Sequence, residues 1–309
     1  KKPNIVWIVC EDQSVDFFPF YGDKIVSLPN LELLANESVV YTNMHATTPV
    51  CAPARSSIVT GMYPTSIGTH NMRAFTYDRN KKENQPQIGV PIYSPPLAEK
   101  IPPFPLKLRE QGYFCTNRDK TDYNFNISEN TWDVNCHQSM CNTPENLFEK
   151  AHWRSGNQNQ PFFSVFNFSQ THESKIWQHA KNEIVVDIKK IIPPPYFPND
   201  SIIIRDMAIN YSNLVLMDKE VGKIINQLKD DGLYEETYIF FYSDHGGPFP
   251  RQKRAIYESG TKVPMLVKFP GSKNAGKTDD RLLSFIDFAP TILNIAGLNI
   301  PDFLEGKAF

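Results

Sequence analysis

The residues best suited to chemistry lie in one short segment that contains a cysteine followed closely by an arginine. Cys51-Ala52-Pro53-Ala54-Arg55 stands in a stretch, residues 49–61, that is rich in serine and threonine. Cys51 is the candidate nucleophile. If the segment enters a helix, Arg55 lies one turn away and can neutralise an oxyanion at residue 51. A buried, unreactive cysteine at a strand-to-helix turn is the alternative interpretation.

Two apolar runs that are far apart in the sequence both end in acidic residues. Residues 4–10 are almost continuously apolar, which is typical of a buried parallel strand, and Glu11 and Asp12 follow directly. A second run, residues 237–242, leads into Ser243-Asp244-His245-Gly246-Gly247. Acids at the carboxyl end of such strands indicate a binding site. The alternative is that Asp12 caps a helix and that Asp-His-Gly forms a turn.

The elements that must position these residues alternate between strands and helices. This alternation predicts one α/β domain over residues 1–309, with further strands at 162–168 and 264–269. Helical patterns or helix-compatible segments occur at 30–37, 51–60, 105–111, 206–230 and 284–296. Two insertions, residues 80–105 and 171–200, contain proline-rich stretches and are expected to be irregular or extended.

The segment around Cys51 resembles the C-x-P-x-R signature of the type I, formylglycine-dependent sulfatases of the alkaline-phosphatase-like superfamily. The resemblance covers nearly the whole chain in the family's motif order and is nearest to bacterial polysaccharide sulfatases and heparan N-sulfatase-like members. It implies an α/β fold with a central, mostly parallel sheet flanked by helices. It also implies that a maturation enzyme oxidises Cys51 to Cα-formylglycine. One hydroxyl of the hydrated aldehyde would attack sulfur, and deprotonation of the other would expel sulfate.

The two acidic strand ends are similar to the metal site of these sulfatases. The resemblance implies that Ca²⁺ or Mg²⁺ is held by Glu11, Asp12, Asp244 and His245, together with residue 51. Three carboxylates suit a hard divalent cation, whereas a single histidine without a second cysteine argues against structural zinc. Position 11 carries glutamate where most relatives carry aspartate, so a longer side chain would have to reach the metal.

A basic residue of the catalytic centre is expected after residue 112. Residues 112–123 resemble the family stretch G-Y-x-T…G-K-x-H, which implies that Lys120 binds sulfate. Asp119 replaces the family glycine, and Cys115 replaces the usual serine or threonine. Asp122 stands where many relatives have the histidine that partners the formylglycine hydroxyl.

Two more catalytic residues follow from the resemblance. His172, after the strand at 162–168, is similar to the family histidine that acts as the acid for the leaving group; an exposed loop histidine is the alternative. Residues 251–264 resemble K-x-x-x-Y/W-E-G-G-x-R-V-P, which implies that Lys253 contacts sulfate. A register shift of one residue would give that role to Arg254.

Other polar residues have weaker signals. Residues after the nucleophile helix line the substrate pocket in the family, so His70 and Arg73 are expected to contact a polar or anionic sugar. Exposed polar residues after a turn are the alternative for this pair. Arg251 and Lys262 fit a solvated basic loop.

The resemblance implies a sulfatase that hydrolyses sulfate esters, or N-sulfate, of a sulfated glycan. Phosphonate monoester hydrolases and phosphodiesterases share the fold, the formylglycine and the metal, so they remain an alternative within the superfamily. A non-catalytic glycan-binding relative is the alternative from a different class, favoured by the altered Asp122.

Composition is compatible with these expectations. The chain has 309 residues, of which 40% are hydrophobic, and can bury a large core. Its net charge of −2 gives no broad basic field, so we expect neither nucleic acid nor an acidic membrane as a partner. No apolar run approaches the roughly 18 residues of a transmembrane helix. The expected location is periplasmic or secreted, with the leader absent from this chain.

Cysteine usage and the end of the chain complete the expectations. Cys136 and Cys141 are close enough in sequence to be bridged, although all the cysteines besides Cys51 could instead be reduced. Four glycosylation sequons would matter only in a eukaryotic secretory setting, namely Asn36, Asn126, Asn167 and Asn199. Residues 301–309 resemble the linker before the family's small C-terminal subdomain, which we therefore expect to be missing from this chain.

Overall fold

A mixed β-sheet forms the centre of the structure. The computed structural model describes residues 2–72, 95, 97, 101–136 and 147–309. Within these residues the strands are β1 (Asn4–Cys10), β2 (Val39–His45), β3 (Phe114–Arg118), β4 (Val134–Cys136), β5 (Phe162–Phe168), β6 (Thr237–Ser243), β7 (Lys262–Lys268), β8 (Thr278–Asp279) and β9 (Leu283–Ser284). They lie in the order β4-β3-β5-β1-β6-β7-β2-β8, and β9 pairs with β2.

The strands that lead into the predicted site residues run parallel to one another. β1 pairs in parallel with both neighbours, so that Ile8 lies opposite Phe166 on β5 and Phe241 on β6. β3 is parallel to β5 in turn. The carboxyl ends of β1, β3, β5 and β6 therefore meet at one edge of the sheet. Only the pairs that β7 makes with β6 and β2 are antiparallel among the described strands, which confirms a mostly parallel sheet.

Helices cover both faces of the sheet. They are α1 (Pro29–Asn36), α2 (Cys51–Thr60), α3 (Phe104–Glu110), α4 (Leu147–Lys150), α5 (Ser174–Gln178), α6 (Ser201–Asp230), α7 (Glu258–Thr261) and α8 (Phe288–Ile295). Short 3-10 turns lie at Val15–Phe17, Pro19–Tyr21, Glu129–Thr131, Trp153–Ser155, Ser169–Thr171, Ile188–Lys190, Tyr234–Glu236, Pro270–Ser272 and Phe285–Asp287. Among the described helices, none combines the length and apolar character needed to cross a membrane.

Alternation along β1 divides the core into two layers, because successive side chains of a strand point to opposite faces. Val6 and Ile8 pack in the layer that contains the apolar face of α6. Ile5 and Trp7 pack in the layer that contains α2, α3 and α8. Every residue of β1 is buried, as its uninterrupted apolar sequence predicts for a central parallel strand.

The helix that carries Cys51 is enclosed by the fold. All ten residues of α2 are buried, and the helix ends at Gly61, which adopts a left-handed φ of 68°. A Cβ atom at Gly61 would lie 2.9 Å from the Cβ of Ala289, so glycine is required by both conformation and space. Cys51 is therefore held at the first turn of a helix whose position is fixed by packing.

Some predicted boundaries differ from those observed. The long helix α6 begins at Ser201 rather than at residue 206, because Asp200 caps it by accepting a hydrogen bond from the Ile202 amide. Ile202 is exposed, so the apolar periodicity starts later than the helix. The insertion at 171–200 contains α5 and a 3-10 turn rather than only extended chain. Strand β2 was not predicted; its half-buried residues and its register shift against β7 weaken the alternating pattern. Most of the insertion at 80–105 lies outside the described residues.

Candidate active site

Cys51 lies where the carboxyl ends of β1 and β6 meet. Its Sγ atom is 3.2 Å from Nε2 of His245, which follows β6. Asp12, which follows β1, places Oδ1 3.0 Å from the same Nε2 atom. Ligand atoms of Asp12, Cys51, Asp244 and His245 all lie within 4.8 Å of one another, and all four residues are buried. The fold thus brings together four of the five predicted metal ligands.

The electrostatics of this cluster favour negative charge on its acids and on residue 51. Burial and Asp244 raise the pKa of the Cys51 thiol, but His245 and Lys120 outweigh them and lower it to about 6. Burial likewise raises the pKa of Asp244, whereas His245 and Arg55 bring it down to about 2. The first turn of α2 adds the positive end of a helix dipole beside residue 51.

The same cluster has the donor set of a hard divalent cation. Asp12 Oδ1 is completely buried and accepts no hydrogen bond from the described residues, despite its 3.0 Å distance from His245 Nε2. Two ligand atoms that face each other at this distance without a hydrogen bond would both be satisfied by a shared cation. The two carboxylates of this cluster supply the oxygen ligands that Ca²⁺ and Mg²⁺ prefer. The residues present therefore fit the expected metal.

Glu11 is placed differently from the other predicted ligands. Its Oε2 atom accepts a hydrogen bond of 2.9 Å from Lys120, and its Oε1 atom lies 3.8 Å from Arg55. Oε1 is buried and accepts no hydrogen bond from the described residues. Glu11 groups with Asp12 and His172 rather than with the acids that follow β6. In this geometry Glu11 pairs with two cations, and a ligand role for it stays a prediction.

Arg55 joins the nucleophile helix to three strand ends. It is 5% exposed, and its Nε donates to Asp244 at 3.0 Å. Nη1 donates at 2.7 Å to the side-chain oxygen of Asn167 on β5, while Nη2 is buried and donates to none of the described residues. Burial lowers the pKa of Arg55, but the carboxylates of Asp244 and Glu11 outweigh burial and raise the pKa above its ordinary range. A fixed, permanently charged guanidinium thus stands one turn from residue 51.

Lys120 reaches the centre from the loop after β3. Besides its bond to Glu11, its Nζ lies 3.5 Å from Asp122. Burial lowers the pKa of Lys120, but the Glu11 carboxylate outweighs burial. The pKa is therefore raised above its ordinary value, and the amine keeps its proton. Asp119, which replaces the family glycine, has φ of 72°, and Asp122 has φ of 52°. Aspartate tolerates this left-handed conformation better than most residues do, which explains how it substitutes for glycine here.

Lys253, and not Arg254, lies in the cluster around Cys51. Lys253 Nζ donates at 2.7 Å to Asp12 Oδ2 and lies 3.2 Å from Glu173 Oε1. The side chain of Lys253 is 3% exposed, whereas that of Arg254 is 62% exposed and bonds through both Nη atoms to Glu173. The register that assigns sulfate contact to Lys253 therefore matches the geometry.

His172 presents one ring nitrogen to the centre. The Ser174 amide donates to Nδ1 at 3.2 Å, and the Ser174 hydroxyl lies 2.9 Å from the same atom. Nε2 lies 3.3 Å from Lys253 Nζ and 3.9 Å from Asp12 Oδ2. The ring is thus oriented to exchange a proton on the side of the catalytic centre.

Of the two expected substrate contacts, only His70 lies among the described residues. His70 is exposed and has no side-chain contact with the described residues, although the preceding carbonyl, of Thr69, accepts a hydrogen bond from Asn124. Arg73 lies outside the described residues. Both assignments stay predictions.

Three residues that sequence reasoning did not assign to the site hold its parts in place. Asn167 accepts from Arg55 and donates to the Asn117 side chain and the Arg118 carbonyl, so its buried amide is not open to glycosylation. The hydroxyl of Thr171 donates to the Glu11 carbonyl at 2.7 Å and accepts from the Glu11 amide at 3.1 Å. Glu173 donates its amide to Asp12 Oδ2 at 2.7 Å. Each of these three residues lies near a strand end that carries a predicted site residue. That position in the sequence is the signal that could have identified them.

Cysteine chemistry outside the centre is structural. Cys136 is disulfide-bonded, and Cys141, its expected partner, lies outside the described residues. Cys10 and Cys115 are free and buried. Burial raises the pKa of each well above its ordinary value, so neither offers a thiolate.

Sequence comparisons identify the family to which this site belongs. The Sulfatase family profile matches residues 3–298, so the chain belongs to the sulfatase family. The chain is 39% identical over 349 residues to an ulvan-active sulfatase of Formosa agariphila, a match that covers 100% of this chain and 54% of the relative. It is 26% identical over 303 residues to the human N-sulphoglucosamine sulphohydrolase, covering 92% of this chain and 59% of the relative. The chain thus spans little more than half the length of these relatives.

Structure comparisons agree on the fold. A solved structure from work on the metabolism of multiple glycosaminoglycans by Bacteroides thetaiotaomicron aligns with a TM-score of 0.76 and 20% identity, over 100% of this chain and 76% of that one. A phosphonate monoester hydrolase from Silicibacter pomeroyi aligns with a TM-score of 0.72 and 16% identity, over 99% of this chain and 76% of that one. These likenesses confirm the alkaline-phosphatase-like α/β fold and do not by themselves separate the two activities.

Proposed function

We propose that this chain carries the catalytic centre of a sulfatase that removes sulfate, as an ester or an N-sulfate, from a sulfated glycan. The observation that carries the proposal is the convergence of Cys51, Arg55, Lys120, His172 and Lys253 at one edge of the sheet, around a carboxylate cluster. Four of these side chains are nucleophilic or cationic in a site that is otherwise acidic and buried. An anion held between these cations and next to residue 51 is the ligand that satisfies such an arrangement.

Two groups that the family implies would add the missing chemistry. Asp12, Asp244, His245 and residue 51 would hold Ca²⁺ or Mg²⁺, which when bound supplies a Lewis acid that withdraws charge from a sulfate oxygen. Formylglycine at position 51 supplies, as its hydrate, a hydroxyl nucleophile together with a route to release sulfate. The formylglycine-generating enzyme is therefore a proposed partner.

The chain's own cations would bind and orient the sulfate group. Lys120 and Lys253 reach the acidic cluster from different loops and pair with Glu11 and Asp12 respectively. A sulfate oxygen near either ammonium would exchange one charge-assisted bond for another rather than leave a cation unpaired. Arg55, fixed by Asp244 and Asn167, would keep its charge beside residue 51 throughout.

His172 would handle the proton of the leaving group. Its Nε2 atom faces the centre. The form that acts as the acid is the imidazolium, in which both ring nitrogens carry protons, and the Ser174 hydroxyl can accept the one on Nδ1. A proton delivered from Nε2 to the departing sugar oxygen or nitrogen would lower the barrier to its release.

The names of the relatives support a glycan as substrate, since one is active on ulvan and another acts on N-sulphoglucosamine. An oxidising location outside the cytoplasm is proposed as well. The disulfide at Cys136 supports it, because such bonds rarely persist in the cytosol.

The experiment that tests the proposal has two stages. Protein produced together with a maturation enzyme is digested, and mass spectrometry of the peptide that contains Cys51 is expected to show the aldehyde in place of the thiol. The matured protein is then compared on sulfate, phosphate and phosphonate monoesters, with Cys51→Ala as the control. A matured protein that turns over phosphonate or phosphate esters faster than sulfate esters would replace this proposal with the hydrolase alternative. A thiol that persists while a control substrate is converted would remove its nucleophile.

A further inference from the structure

A cavity lies beside the loop that carries Lys253. Its volume is about 360 Å³, within the range of roughly 300–1,000 Å³ that is usual for small-molecule sites. We call it the Arg251 pocket and define it by six of its lining residues: Asp16, Tyr196, Arg251, Tyr257, Glu258 and Lys262. None of these residues belongs to the catalytic centre described above.

Arg251 is held between two aromatic rings. Its guanidinium carbon lies 4.9 Å from the ring centroid of Tyr196 and 4.5 Å from that of Tyr257. Such stacking fixes the plane of the guanidinium and leaves its N–H edge free to donate. Within the described part of the chain Arg251 forms no ion pair and no side-chain hydrogen bond, and Lys262 forms no ion pair either. The pocket therefore contains two cations that the protein itself does not neutralise by direct contact.

The rings of the two tyrosines are also accessible. Tyr196 is 37% exposed and Tyr257 is 54% exposed. An aromatic face next to an oriented cation suits a ligand that combines an apolar ring face with an anionic substituent. Asp16 and Glu258 add carboxylates that can accept hydrogen bonds from hydroxyl groups. A sugar that bears a sulfate or a carboxylate has all three features, whereas a purely apolar ligand would leave the charged groups unpaired.

The pocket adjoins the catalytic centre through shared loops. Arg251 precedes Lys253 by two residues, so their Cα atoms are at most about 7 Å apart. On the other side, the Ser14 hydroxyl accepts from the Gly247 amide at 2.7 Å and donates to the Ser259 carbonyl at 2.6 Å. These bonds tie the chain after Asp12 to the loop after His245 and to the residues next to Glu258. One oligosaccharide could therefore occupy both places.

We infer that the Arg251 pocket is a second saccharide subsite, which binds an anionic sugar close to the residue whose sulfate is removed. The inference rests on the proposed function, because it assumes that the ligand of the centre is part of a sulfated glycan. It gives the exposed Arg251 and the half-buried Lys262 a role in selecting chains over isolated sulfate esters.

The test compares a short substrate with a long one. The kcat/KM of matured protein is measured for an aryl sulfate, which can reach only the centre, and for a sulfated oligosaccharide that carries a neighbouring uronate or sulfate. Arg251→Gln is expected to lower the kcat/KM for the oligosaccharide, relative to that for the aryl sulfate, about tenfold, the value of one lost charge-assisted contact. Tyr196→Ala removes a ring that holds Arg251 and is expected to lower the same ratio. Lys229→Gln is the matched control, since Lys229 also lies over a tyrosine ring, at 4.7 Å from Tyr234, but at the other end of β6.

A binding measurement makes the inference independent of turnover. Calorimetry with Cys51→Ala protein and the same oligosaccharide is expected to show about tenfold weaker binding after Arg251→Gln, and no such loss with a neutral oligosaccharide. An unchanged ratio and unchanged binding for both variants would overturn the inference while leaving the sulfatase proposal intact. Binding that depends on Arg251 in a matured protein that hydrolyses no sulfate would instead sustain the subsite and defeat the proposed function. If Arg251→Gln weakened the binding of neutral and anionic oligosaccharides equally, the inference that the ligand is anionic would be overturned.

Discussion

Replacement of Lys253 or Arg254 with methionine gives the sharpest test of the active-site register. The two residues are adjacent in sequence and carry the same charge, but only Lys253 is buried against Asp12. Methionine keeps much of the side-chain volume and removes the charge. The pair therefore separates a catalytic cation from a surface cation within one loop.

The structure sets the expected magnitudes. Loss of one preorganised charge donor from an active site typically lowers kcat by about 10²–10³, which we expect for Lys253→Met. Arg254 forms an exposed pair with Glu173, and such pairs contribute about 0–1 kcal/mol, so Arg254→Met should change kcat/KM by no more than about fivefold. Removal of Lys253 also leaves Asp12 without its nearest ammonium. Loss of one partner from a buried ion pair costs about 3–5 kcal/mol; His245 remains 3.0 Å from Asp12, so we expect about 3 kcal/mol.

Two assays check these values. Initial rates of aryl sulfate hydrolysis by matured variants give kcat and KM, and urea unfolding in the presence of a chelator gives the free energy of unfolding without the metal. If Lys253→Met and Arg254→Met lowered kcat and the free energy of unfolding by similar amounts, the assignment of the buried cation to Lys253 would be contradicted. A larger loss of kcat in Arg254→Met would contradict it as well, together with the reasoning from burial.

Three further predictions concern Asn167, the buried histidine His152 and the candidate metal cluster. Asn167→Leu should lower the free energy of unfolding by about 3 kcal/mol and reduce kcat, because the Arg55 guanidinium and two neutral groups lose their partner; unchanged urea unfolding would refute this. Burial lowers the pKa of His152 to about 4, so its neutral form stabilises the fold above pH 6.5, and up to about 3 kcal/mol should be lost as the pH falls from 6.5 to 4. His152→Gln should flatten that part of the stability profile, and an unaltered profile would show that other groups control it. Ca²⁺ at about 100 times its Kd should stabilise the protein by about 2.7 kcal/mol, and Asp244→Asn should remove this gain in a thermal melt.

The sequence was sufficient to predict β1, β5 and β6, three strands that lead into the candidate site, whereas β3, which leads to Lys120, was not predicted. A continuous apolar run predicts a central parallel strand, and the acids after residues 4–10 and 237–243 lie at adjacent strand ends as expected. The reason is local, since a strand buried on both faces leaves a direct mark on its composition. The segment around Cys51 likewise forms a helix that places Arg55 one turn from the nucleophile.

Only the tertiary structure decided how neighbouring residues divide their roles. Lys253 and Arg254 have nearly the same sequence context, and the positive φ of 68° at Arg254 helps to turn one side chain inward and the other outward. Glu11 and Asp12 are adjacent acids, yet Glu11 pairs with Lys120 while Asp12 lies in the cluster of predicted metal ligands. The support from Asn167 was also hidden, because its partners on α2 and β3 are distant in sequence. Residue types and spacing thus predicted the reactive and charged groups of the candidate site, but not the residues that hold them. The contacts among distant strand ends decided which atoms meet, because side-chain direction and pairing depend on packing that no local pattern records.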